Sequence, residues 1–284
     1  PMKFSRSIIF ASFASLFFII IQTMSSTEVQ AAAIKLNYSS ATMTVNSTKT
    51  LTVLNTKNKV TWSSSNKSVA TVSSTGKVTA KSSGTATIYA SVSGKKLSSK
   101  ITVIKISNSS ATLAVGSTKT LSVSGTKNTV IWSSSNKSIV TVSTSGKVTA
   151  KAPGTATIYA SVNGIKLSSI ITVVKISSSS VTLNVGSTKT LSVSGTKNSV
   201  TWSSGNKSIA TVSNSGKVTA KAPGTVTIYA SVNGLKLSSK ITVNKPVTPT
   251  STPTPSTSKA PTATPTPLPA QEPTVTPTPL PANE

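Results

Sequence analysis

The sequence predicts an all-β protein of three tandem sandwich domains followed by a segment that cannot form a core. Three observations carry this. A block of about seventy residues occurs three times, with Trp62, Trp132 and Trp202, then Gly76, Gly146 and Gly216, then Tyr89, Tyr159 and Tyr229 at a constant spacing of 70. Within each block, short segments rich in Val, Ile and Thr alternate with period two between Gly, Asn and Ser clusters, and none has helical periodicity. From Lys245 onward the composition turns to Pro, Thr, Ser and Ala. A unit of this length can close a small core of its own, which a shorter solenoid unit cannot. The expected organisation is a signal peptide over 1–33, sandwiches over 34–103, 104–173 and 174–244, and a disordered Pro/Thr-rich tail over 245–284.

Alternation assigns a face to each segment of the first repeat. Met43 and Val45 point one way on an early strand, and Leu51 and Val53 on the next. Val60 and Trp62 follow on a third, then Ala70 with Val72, then Val78 with Ala80. The longest strand, Thr85 to Val92, turns Ala86, Ile88, Ala90 and Val92 inward and Thr85, Thr87, Tyr89 and Ser91 outward. A turn at Ser93-Gly94 leads into a last strand on which Leu97, Ser99, Ile101 and Val103 share a face. About seven strands with one tryptophan on the third match a Greek-key sandwich of immunoglobulin type, with a small barrel as the alternative. This register buries Trp62, Trp132 and Trp202 as core packing and leaves the three repeat tyrosines outward as the better ligand candidates.

Composition removes most chemistry. The chain has no His, Cys or Asp, and its only carboxylates, Glu28, Glu272 and Glu284, lie outside the repeats. Paired-carboxylate hydrolysis is excluded there, and a serine nucleophile would have only lysine to activate it. Zinc, calcium and iron sites lack their usual ligands. The repeats are therefore expected to be non-enzymatic, with no cofactor and no metal. The formal charge is +26, and twenty-five lysines between Lys35 and Lys240 meet no acidic residue within the repeats. Such a surface attracts polyanions in a salt-dependent way. Lysine in place of arginine favours diffuse adhesion over a bidentate phosphate site. No specific nucleic-acid binding is expected, because the aromatics are largely committed to cores and the repeats contain no arginine.

At the N-terminus, Lys3 and Arg6, the apolar stretch Ile8 to Ile21 and the small-residue end Val29-Gln30-Ala31 read as a secretory signal peptide, cleaved after Ala31 or Ala33. Membrane contact is then expected to be transient, and the protein is expected to be secreted or displayed on a cell surface. Absence of cysteine means that each domain holds together by burial alone. In the tail, alternating prolines favour an extended polyproline spacer. LPAQE and LPANE resemble the start of a wall-sorting signal but lack its Thr-Gly pair.

The run VTWSSSNKSVATVSSTGKVTAKSSGTATIYASV, echoed as IWSSSNKSIVTVSTSGKVTAKAPGTATIYASV and TWSSGNKSIATVSNSGKVTAKAPGTVTIYASV, resembles the bacterial immunoglobulin-like domain of group 2. Trp-Ser-Ser, Gly-x-Val-Thr-Ala and Gly-Thr-x-x-Ile recur in all three copies. The resemblance implies a β-sandwich of secreted and surface proteins, with no catalytic residue. Where members often carry acidic residues before the Gly-x-Val-Thr segment, this chain has Ser74-Thr75, Thr144-Ser145 and Asn214-Ser215, so no metal ligand carries over.

No Gly or Pro interrupts Val103-Ile104-Lys105-Ile106 or Val173-Val174-Lys175-Ile176, so the tandem is expected to be a semi-rigid monomeric rod. Repeats two and three differ at only eleven of 68 positions over Ile106–Val173 and Ile176–Val243, so one surface chemistry is presented repeatedly. Lys77 with Lys81, Lys147 with Lys151 and Lys217 with Lys221 point away from the core on the strand carrying Gly-Lys-Val-Thr-Ala, as a recurring basic stripe. The expected function is a spacer and adhesion array contacting anionic cell-wall or host polymers. The alternative is the N-terminal targeting region of a larger secreted polysaccharide-degrading enzyme.

Overall fold

The structure, a computed structural model, describes residues 32–246, so the signal-peptide and tail expectations lie almost wholly outside the described residues. Among the described residues there are strands and turns and no helix. The first repeat runs β1 (Lys35–Leu36), β2 (Ser40–Thr44), β3 (Thr48–Thr50), β4 (Val53–Leu54), β5 (Thr61–Ser64), β6 (Ala70–Val72), β7 (Lys77–Ala80), β8 (Gly84–Val92) and β9 (Lys95–Ile106). One sheet has the order β2-β9-β8-β5, with β2 parallel to β9 and the other pairs antiparallel. The facing sheet is β3-β7-β6, all antiparallel. The same two sheets recur in the second and third repeats. Each is an immunoglobulin-like Greek-key sandwich, as the alternation predicts.

Inward residues of the two sheets meet as expected. Ile88, Ile101 and Val103 on one sheet and Ala70, Val78 and Ala80 on the other are essentially inaccessible and form one cluster. The β8–β9 hairpin pairs residue for residue from Gly84 with Val103 to Val92 with Lys95. Its turn has φ of 49° at Ser93 and 75° at Gly94; the equivalents are Asn163-Gly164 and Asn233-Gly234, again with both φ values positive. Two successive positive φ values match the twist of the flanking strands, and Asn-Gly adopts them at least cost.

Two expectations need correction. Leu51 and Val53 do not share a strand. The chain breaks between β3, which pairs with β7, and β4, which pairs with β1, while Leu51 sits buried in the break and donates its N–H to the Gly76 carbonyl at 2.9 Å. One predicted strand is thus split because its two ends serve different partners. The tryptophans, expected to be buried, are half-buried. Trp62 lies on β5, the edge of its sheet, opposite Ala90, so the core covers only part of its indole. It packs against both the main cluster and a smaller one of Val53, Ala90 and Val92; Trp202 likewise joins two clusters.

Ser99, Ser169 and Ser239 occupy one inward position in the three repeats, fully buried, and their hydroxyls have no hydrogen-bond partner. A buried hydroxyl without a partner costs roughly 1–3 kcal/mol of desolvation, whereas the smaller alanine leaves almost no cavity. Ser169→Ala is therefore expected to stabilise the middle repeat by about 1 kcal/mol. An unchanged or lowered denaturant midpoint would show that this hydroxyl is satisfied in solution.

Candidate binding surface

The lysine pairs lie on the three-stranded sheets. Val78 and Ala80 of β7 point into the core, Lys77 is exposed at the start of the strand, and Lys81 is exposed immediately after its end. Thr50 stands beside Lys77 on β3, and Thr79 lies between Thr48 and Thr71. Lys147 with Lys151 and Lys217 with Lys221 repeat this arrangement. Each pair belongs to its own separate three-stranded sheet. No carboxylate exists between Glu28 and Glu272, so none of these ammonium groups has an intradomain ion-pair partner.

Each outward tyrosine has a lysine over one face of its ring. Lys96, Lys166 and Lys236 place Nζ 3.9, 3.6 and 3.9 Å from the ring centroids of Tyr89, Tyr159 and Tyr229. A sugar stacking on that face would first have to displace this cation–π contact. Lys49 caps Tyr38 at 3.8 Å in the same way. Across the ladder Lys49 stands opposite inward-facing Val78, a charged side chain on the core side of an edge strand, which discourages further strand addition.

The remaining polar concentration lies where repeats join. β9 pairs with β8 and β2 of its own repeat and then continues as the first strand of the next, where Lys105 and Ile106 pair with Ser124 and Val123. In repeat one the equivalent ladder is β1 with β4. Ile104 and Val174 are fully buried at the two junctions, and Val174 joins a cluster with Ala230, Val232 and Leu237 of the third repeat. Beside this seam the hairpin tip of the second repeat reaches back to the first. Asn128 Nδ2 donates to Asn163 Oδ1 at 2.8 Å, and Asn163 Nδ2 donates to Thr42 Oγ1 at 3.2 Å. The relay recurs from Asn198 through Asn233 to Thr112, at 2.9 and 3.0 Å. Between these walls at the first junction is a half-open cleft of about 660 Å³, and the second junction has a counterpart of about 510 Å³.

A family model of the bacterial Ig-like domain (group 2) matches residues 29–103, 100–166 and 170–243. The chain belongs to this family. Similar solved structures include surface layer protein SbsC, domains 1–6, at 17% identity, covering 75% of this chain and 40% of that one, with a TM-score of 0.24. An intimin mutant of EHEC O157:H7 matches at 28% identity over 26% of this chain and 49% of its own, with a TM-score of 0.23. A 282-residue C-terminal intimin fragment, in complex with the intimin-binding domain of the translocated intimin receptor, matches at 19% identity over 51% and 66%, with a TM-score of 0.33. This chain thus spans less than half of the SbsC and EHEC intimin chains. No curated protein matches it.

Among these Ig-like repeats, the sequence singles out the lysine pairs as contacts and marks the junctions only as stiff connections. A signal was present. Gly125 and Gly195, at the docking edge of repeats two and three, correspond to Asn55 in repeat one, and exposed Asn244 corresponds to buried Ile104 and Val174. Asn55 falls in the first repeat and Asn244 at the end of the third, so these departures lie at the two ends of the array.

Proposed function

We propose that this chain is a non-enzymatic extracellular array of Ig-like repeats that spaces and adheres, contacting anionic cell-wall polymers or host polyanions through its lysines. The observation that supports this reading is the unopposed charge: the lysines of three repeats face no acidic residue, and the Lys77/Lys81 pair recurs once per repeat on an exposed sheet face. Each exposed contact is weak, ~1 kcal/mol or less, so affinity arises from summing contacts along a repetitive ligand. Family membership accords with the absence of catalytic side chains, and secretion accords with the signal-like N-terminus.

Replacing Lys77, Lys81, Lys147, Lys151, Lys217 and Lys221 with glutamine is expected to reduce binding to an anionic wall polymer by at least roughly tenfold at low salt, with folding intact. Parent-like binding by this variant would reduce the stripe to a solvated face.

A further inference from the structure

We infer that the cleft between the first and second repeats is a binding site for one anionic, polyhydroxylated unit of a polymer, such as a phosphodiester-linked polyol or a uronate sugar. This inference rests on the adhesion reading and gives it a location separate from the lysine stripe.

The first repeat supplies Ser40, Thr42, Thr85, Lys100 and Thr102, and the second supplies Thr126, Lys127, Asn128 and Asn163. The wall therefore offers two ammonium donors, several hydroxyls and two amides, with no carboxylate and no aromatic ring. Its volume of about 660 Å³ accommodates a sugar-sized unit, and its open side lets a chain enter and leave. Lysine acts as a point charge suited to a phosphate or carboxylate of variable orientation, while the hydroxyls and amides suit a polyol.

The walls are held in place before any ligand arrives. The relay Asn128–Asn163–Thr42 ties the second repeat's hairpin tip to β2 of the first. The loop after Gly125 is further fixed by Thr126 Oγ1, which accepts the Asn128 N–H at 3.0 Å. Preorganisation of this kind lowers the ordering cost of binding.

The second junction provides an internal comparison. Gly154, Thr155, Thr172, Gly195, Thr196, Lys197 and Asn198 line its cleft, but the position of Lys100 is taken by Ile170, which is 50% exposed. One ammonium is missing there. The first cleft is accordingly the stronger anion site, and the second keeps the Thr155, Thr172 and Thr196 hydroxyls with a single charge.

The test titrates the three-repeat protein at low salt with a glycerol-phosphate oligomer, an oligogalacturonate and a neutral glucan oligomer. Lys100→Gln with Lys127→Gln is expected to weaken binding of the preferred anionic oligomer roughly tenfold, from two exposed charge contacts of about two- to fivefold each. Ile170→Lys is expected to strengthen it by about two- to fivefold, and the two anionic oligomers report whether phosphate or carboxylate is preferred. Both variants alter exposed side chains, and unchanged melting checks their fold. If the parent binds an anionic oligomer and the Lys100/Lys127 variant binds equally well, the cleft assignment is overturned while adhesion through other lysines stands. Equal binding of the neutral oligomer also overturns it. If the parent binds neither anionic oligomer, the adhesion reading falls and the cleft falls with it.

Discussion

Gly146→Ala is expected to destabilise the middle repeat by about 3–4 kcal/mol while leaving its neighbours folded. Gly146 has φ of 81°, where an L side chain costs roughly 1–2 kcal/mol. The added methyl would also lie 2.3 Å from the Leu121 carbonyl oxygen and 3.0 Å from Cζ2 of Trp132. Neither can retreat easily. Leu121 is buried and donates its own N–H to the Gly146 carbonyl at 2.9 Å, so the two backbones are tied at the point of the clash. Gly164→Ala separates the two causes, because that residue has φ of 77° and no neighbour within 4 Å of the new methyl. It should cost only about 1 kcal/mol. Denaturant unfolding of both variants, with limited proteolysis to locate the opened repeat, checks the comparison; equal costs would mean that the contact with Leu121 and Trp132 constrains nothing.

This glycine also marks what was legible in the sequence and what was not. Gly76, Gly146 and Gly216 stand out as a periodic landmark, and the Val-Thr-Ala that follows reads directly as an inward–outward strand. Strands β7 and β8 follow the predicted register because their partners lie on both sides and alternate side chains must be buried. The division of β3 from β4 is invisible to alternation, since Leu51 is inward and buried whether or not the ladder continues through it. Partial exposure of the tryptophans is equally hidden. It depends on β5 being an edge strand, a matter of topology that no local pattern records. The exposure of the lysine pairs is legible because exposure alternates along a strand. The cleft is not legible because its walls come from different repeats: Asn163 and Thr42 are 121 positions apart, and each looks like an ordinary surface residue in its own segment.

Gly125→Asn is expected to undock the second repeat from the first without unfolding either. At φ of 89° the glycine brings the second repeat's backbone so close to the first that a Cβ would lie 1.9 Å from the Val103 carbonyl oxygen and 2.9 Å from the Gly84 nitrogen. Asparagine tolerates positive φ better than other side chains, so backbone strain contributes little and the clash dominates. The first repeat already contains this substitution: Asn55, at φ of 64°, extends its amide to the Ala33 carbonyl at 2.8 Å. Asparagine is thus compatible with the loop and incompatible with a docked predecessor. Repeats in a tandem array share stability through their nearest-neighbour interfaces, and displacing this one should uncover Ile104 and break the Asn163–Thr42 bond, at a cost of roughly 2–4 kcal/mol. Calorimetry should show the first and second repeats melting at separated temperatures in the variant, with protease cleavage appearing near Lys105. Asn55→Gly, which touches no junction, should leave the coupling as it was. A Gly125→Asn protein that melts like the parent would mean that the second repeat yields elsewhere to admit the side chain, and that the close approach of Gly125 to Val103 does not hold the junction together.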